Sequence, residues 1–136
     1  MTVRFGFAVS LVAGSLGLAS EAGAQSANID GAWSDSAKTC DKVCERKDGR
    51  VSIRKDSDAY GNGLIIDGNR IIGKIATCNV KARKQQGDTV HLVTTCATTV
   101  AFEHVPITLK VVNADKITQI FPGVDGIEVT YERCKL

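Results

Sequence analysis

From Val51 to the C-terminus the chain is a succession of short runs rich in valine, isoleucine and threonine, separated by turn-forming residues and containing only two prolines, Pro106 and Pro122. That pattern predicts strands throughout. Ile107, Leu109 and Val111 alternate with Thr108 and Lys110, and Ile127, Val129 and Tyr131 alternate with Glu128, Thr130 and Glu132. A period of two with one polar face describes a sheet that is wet on one side and packed on the other. The clusters Asp67-Gly68-Asn69, Gln86-Gly87-Asp88, Asn113-Ala114-Asp115 and Pro122 to Gly126 favour positive φ or Asx turns, so hairpin is expected to follow hairpin.

Strands are predicted near 31–34, 49–54, 63–67, 70–82, 89–100, 107–112, 116–121 and 127–134. Seven or eight antiparallel strands in this length fit an all-β fold, an up-and-down β-barrel, with a β-sandwich as the alternative, because closure removes exposed edges. The segment 35–47 lacks alternation and is expected to be a loop, or one short helix around 41–47. Three residues between paired strands at Gln86-Gly87-Asp88 would set positions summing to 174 opposite each other, and Cys78 would then face Cys96. A two-residue loop would slip the register by one and part the sulfurs.

The N-terminus changes the context. Arg4, the apolar run from Phe5 to Leu18 and Ala22-Gly23-Ala24 have the form of a signal peptide over 1–24, leaving a single domain over 25–136 with a periplasmic or secreted destination. The run is shorter than the roughly 20 residues a membrane-spanning helix needs. An oxidising destination favours disulfides. In addition to Cys78 with Cys96, Cys40 is expected to join Cys134, because the first and last strands of a barrel are neighbours. Cys44 would remain a free thiol on a polar segment between Lys42 and Arg46, its thiolate favoured by their charge, and able to link a homodimer. The alternative pairs Cys44 with Cys134.

Candidate chemistry is sparse. The net charge of +2 excludes neither sign of partner, and the densest basic stretch, Lys81, Arg83 and Lys84, has no interleaved aromatic residue, so no nucleic-acid partner is expected. Asp56, Asp58 and Asp67, with Gly61 at the sixth place, partly match a calcium loop, but Tyr60 and Gly63 depart from it, and no metal or other cofactor is expected. His91 and His104 are the only histidines, and no nucleophile elbow, zinc-binding histidine pair or phosphate loop accompanies them. The chain is not expected to be an enzyme.

Gly31-Ala32-Trp33 resembles the G-x-W start of the calycin barrels, which include lipocalins, avidins and small secreted bacterial metalloprotease inhibitors. The resemblance implies a tryptophan lying across the closed end of a barrel, with Arg133 of the last strand set against it. The whole chain also resembles small exported proteins of soil alphaproteobacteria, which implies export and no particular activity. The expected function is an exported binding module that docks another protein, as a hydrolase inhibitor, with 34–48 and 54–62 as its contact loops. The alternatives are a small-ligand carrier with an apolar interior and a structural or stress-related envelope protein.

Overall fold

A computed structural model describes residues 26–121 and 123–136, so the signal-peptide reading of 1–24 lies outside the described residues. Eight antiparallel strands close into a barrel: β1 (Gly31–Ser34), β4 (Gly63–Asp67), β5 (Arg70–Ile72), β6 (Thr77–Gln86), β7 (Thr89–Ala97), β8 (Phe102–Asn113), β9 (Lys116–Ile120) and β10 (Glu128–Cys134). From β4 to β10 each strand pairs with its sequence neighbour, and β1 closes the ring by pairing with both β4 and β10. A second hairpin, β2 (Cys44–Lys47) with β3 (Arg50–Ile53), lies outside the ring, inserted between β1 and β4. No described helix is long and apolar enough to cross a membrane.

Alternation accounts for the core. Val90, Leu92 and Cys96 of β7 and Leu109 of β8 point inward and meet Trp33, Leu64, Ile66, Ile71 and Ile117. One position along the same strands, His91 and Lys110 take the outer side. A smaller cluster outside the ring joins Ala32, Ile65 and Cys134 to Cys40, Val43 and Cys44, and packs the inserted hairpin onto the wall.

Three local readings need correction. The run 70–82 is two strands, because the chain turns at 73–76, where the Gly73 N–H bonds to the Ala76 carbonyl at 2.8 Å. The helix expected around 41–47 is one turn, α1 (Cys40–Val43), followed at once by β2, because Cys44 and Arg46 pair with Ile53 and Val51 across a turn formed by Asp48 and Gly49, both at positive φ. The loop at Gly87 holds two residues: Gln86 faces Thr89, and Gly87 carries the positive φ of +59° that suits the first position of a type II′ turn.

The two described disulfides are Cys78–Cys96 and Cys40–Cys134. The first forms despite the shorter loop. Near the turn, paired positions sum to 175, as in Arg83 with Leu92; an unpaired residue, Lys81, forms a β-bulge, and beyond it they sum to 174, as in Cys78 with Cys96. Two departures from the expected geometry cancel, and the sulfurs return to one face.

Deletion of Lys81 removes the bulge and joins Val80 to Ala82, so Cys78 still faces Cys96 in an unbroken ladder. Non-reducing peptide mapping of the deletion variant is expected to show the same cross-link spanning Gly87 as the parent. Loss of the bridge on deletion would mean that Lys81 is a paired residue of the ladder and not the bulge.

Candidate functional site

The two ends of the barrel are built differently. One end carries the tight turns at 68–69, 87–88 and 114–115, and it is closed by the chain entering β1. Trp33, the only tryptophan, is 0% exposed, and its Nε1 donates to the Ile29 carbonyl at 3.0 Å. The Arg133 guanidinium lies 4.2 Å from the centre of the indole ring, a stacking worth about 0.5–2 kcal/mol. Arg133 also donates to the carbonyls of Ala114 (2.7 Å), Asn28 (3.1 Å) and Asp30, so one side chain ties the chain entering β1 to the β8–β9 turn. Gly31 makes room for it: at φ +137°, a Cβ there would stand 2.6 Å from Arg133 Nη1.

Between the ends, the interior is nearly filled. The interior holds a cavity of about 170 Å³, lined mainly by Leu64, Ile66, Ile71, Leu109 and Tyr131. Pockets for drug-sized ligands run from about 300 to 1,000 Å³, so this space suits at most a very small molecule. Burial, and secondarily the charge of Asp35, pushes the Tyr131 phenol above its ordinary range, so the cavity wall keeps a neutral hydroxyl.

The other end is open and apolar at its rim. Seven of the ten exposed large hydrophobic residues among the described residues lie there: Tyr60 before β4, Ile75 between β5 and β6, Val100 and Phe102 at the β7–β8 connection, and Phe121, Val124 and Ile127 between β9 and β10. Val100 is 92% exposed, Ile75 81% and Phe102 72%. Single exposed apolar residues are ordinary, but here they are concentrated on one rim.

One part of the rim projects. β9 pairs with β8 only from Thr108 onward, so Phe102 to Ile107 have β7 on one side and no strand on the other. Six residues of extended chain carry the β7–β8 tip about 20 Å beyond β9. Pro106 removes one donor from this free edge, which limits uncontrolled strand addition. The Cys78–Cys96 bridge ties β6 to β7 close to the tip of the same projection, where Cys96 faces Glu103.

The residues singled out in the sequence are dispersed. Asp56 and Asp58 belong to a short 3₁₀ turn near the open end, where Asp58 pairs with Lys74 at 2.8 Å, while Asp67 ends β4 at the closed end. The three carboxylates do not converge, and Gly61 serves instead to let Asp35 approach, its Oδ2 accepting the Asn62 N–H at 2.9 Å. No group of three or more histidine, cysteine, aspartate or glutamate side chains is placed to hold a metal among the described residues. His91 and His104 each bond a threonine on the outer face, Thr108 and Thr95, at 3.3 Å. The contact loop expected over 34–48 folds against the barrel, burying Cys40, Val43 and Cys44.

Cys44 is the free thiol, as expected, but its setting needs correction. It is 1% exposed beneath the inserted hairpin, and burial raises its thiol above the ordinary range; Lys42 has turned away to stand 4.9 Å over the Tyr60 ring. A thiolate bridging two chains would first require the hairpin to lift. The apolar rim was hidden from sequence reading because Val100 and Ile127 fit the strand alternation; the usable signal was the run of apolar residues at turns, where polar ones are usual. Comparison with protein-family models, with curated proteins and with solved structures found no match.

Trp33→Ala is expected to destabilise the fold by about 3–5 kcal/mol in chemical denaturation, since the gap is walled by a closed ring. Gly31→Ala should cost about 1–3 kcal/mol through backbone strain and displacement of Arg133. In the parent, native indole emission should be blue-shifted and resistant to acrylamide; emission typical of water would contradict the packing at this end.

The raised Cys44 thiol gives a pH dependence of definite sign. The folded chain holds this proton to higher pH than the unfolded chain, so its contribution to the pH dependence is a stability that is complete at high proton activity when the thiol is neutral in both states, and that declines once the unfolded thiol begins to ionise. Melting temperatures measured from about pH 8 to 10 should therefore fall more steeply for the parent than for Cys44→Ala. Equal slopes would show that the thiol is not held in the low-dielectric site.

Proposed function

We propose that this protein is an exported binding module that docks another protein through the open rim of its barrel, in the form of a hydrolase inhibitor. The observation that carries the reading is the apolar rim on a projecting, disulfide-braced hairpin. Val100 and Phe102 are large side chains held in water by a rigid support, and a partner pocket that accepted them would gain buried area at little cost in ordering. A hydrolase cleft is a concave partner suited to such a convex tip. Export is supported by the two disulfides, which fit an oxidising compartment. The carrier reading needs an interior several times larger than the cavity of about 170 Å³.

The test is inhibition of a panel of purified secreted serine and metallo-hydrolases by the exported protein, with Val100→Asp, Phe102→Asp and the closed-end control Lys110→Asp. Each rim substitution is expected to weaken inhibition by about 30-fold or more, as for the loss of an interface hot spot, and to leave the melting temperature within a few degrees of the parent. The control should inhibit as the parent does. If inhibition is absent across the panel the hydrolase assignment fails, and if it persists in the rim variants the rim is not the docking surface.

A further inference from the structure

From Thr108 toward its tip, β8 has no neighbour on its β9 side, and two contacts fix the hydrogen-bond directions of that edge. The Val111 N–H bonds to the Asp88 carbonyl at 2.7 Å, and the Ala101 carbonyl accepts the Thr98 N–H at 2.9 Å, so odd-numbered positions turn their peptide groups toward β7. Phe102, His104 and Pro106 therefore turn theirs outward. The free edge offers the N–H and C=O of Phe102 and His104 and the C=O of Pro106, and its complement is another extended backbone.

This edge is complementary to itself. Two antiparallel copies related by a twofold axis through His104 set His104 against the partner's His104, which exchange two backbone bonds, and each Phe102 N–H against the partner's Pro106 carbonyl. The donor that proline lacks falls at the end of this ladder rather than at its centre. Side chains agree with the backbone. Phe102, His104 and Pro106 alternate onto the outer face, where His104 bonds Thr95. Phe102 then lies beside the partner's Pro106, which itself faces the partner's Val93 across the β7–β8 pair; in the single chain Phe102 is 72% exposed and Val93 53%. The partner's chain turns at 98–101 before it reaches β9, which brings the partner's Val100 up to the exposed Phe121.

The adjacent registers are excluded on particular residues. An axis through Glu103 would oppose two carboxylates. An axis through Val105 would drive the partner's Phe102 to Thr108, which already pairs with Ile120 of β9.

We propose that this protein forms an antiparallel homodimer by joining the β8 edges, residues 102–107, of two copies, with His104 on the twofold axis. The contact is short, so the dimer is weak and concentration-dependent. It does not use Cys44 and does not depend on the hydrolase reading. Because Phe102 serves both contacts, dimerisation and docking of a partner on that side chain exclude one another.

The test is sedimentation equilibrium of the protein without reductant, so that both disulfides stay closed, from about 10 µM to 1 mM. A monomer–dimer equilibrium is expected, with no linked chains on a non-reducing gel. His104→Pro removes the donor at the centre of the contact and leaves the β7 side of the strand untouched; it should raise the dimer dissociation constant about tenfold or more. His104→Cys sets the two new thiols opposite each other across the axis and should yield a linked dimer under mild oxidation, whereas the control Lys110→Cys should not. If His104→Pro melts early, the cysteine pair of variants carries the comparison. A parent that stays monomeric to the top of the concentration range, a dimer unchanged by His104→Pro in a folded chain, or a His104→Cys protein that links no more readily than Lys110→Cys would each overturn the proposal.

Discussion

The barrel depends on a strand of four residues. β1 is the element that joins β4 to β10, so the closure of an eight-stranded ring rests on the pairing of Gly31 to Ser34 along both edges. So short a strand carries few ladder bonds, and the surrounding chemistry compensates. Trp33 fills the interior beside it, Arg133 from the neighbouring strand stacks on that ring and binds three carbonyls, and the glycine at position 31 leaves the space the guanidinium occupies. The Cys40–Cys134 bridge then fastens the segment after β1 to the end of β10. Covalent closure across a sequence separation of 94 restricts the unfolded chain by about 4–5 kcal/mol in the chain-entropy picture.

Concentrating closure at one end leaves the other end free to differ. Tight turns and carbonyl-bound arginine seal the first end; longer connections with apolar tips form the second. The interior between them is packed with branched side chains and one indole, so rigidity rather than capacity is what this barrel supplies. The Cys78–Cys96 bridge reinforces the same division, because it crosses the projecting strands instead of the sealed end. A stiff support beneath exposed Val100 and Phe102 is physically consistent with presentation of those side chains to a partner.

The inserted hairpin has a separate logic. Its base is apolar and buried, where Val43, Cys44, Val51 and Ile53 meet Ile65, and its outer part is basic. Gly63 permits this docking: a Cβ there would stand 2.5 Å from Val43 and 3.6 Å from the Cys44 sulfur. The charge that surrounds Cys44 in sequence is thus carried away from it in space, and the thiol sits in a low-dielectric pocket that keeps it protonated.

What the sequence determined by itself is whatever acts between near neighbours. Alternation of period two placed Leu109 inward and Lys110 outward, glycine and asparagine marked the turns, and the symmetric spacing of Cys78 and Cys96 about Gly87 made their bridge legible even though the loop length and the Lys81 bulge were not. The barrel itself was legible because a run of hairpins with one apolar face has few other ways to bury that face and cover its edges. The tertiary structure alone decided the rest. Whether Cys44 is exposed depends on a hairpin folding back on a wall formed in part by Ile65, and whether Val100 and Phe102 face water depends on where β9 stops beside β8. Periodicity specifies which face of a strand a residue occupies, but not what packs against that face, because that is set by contacts between segments far apart in the chain.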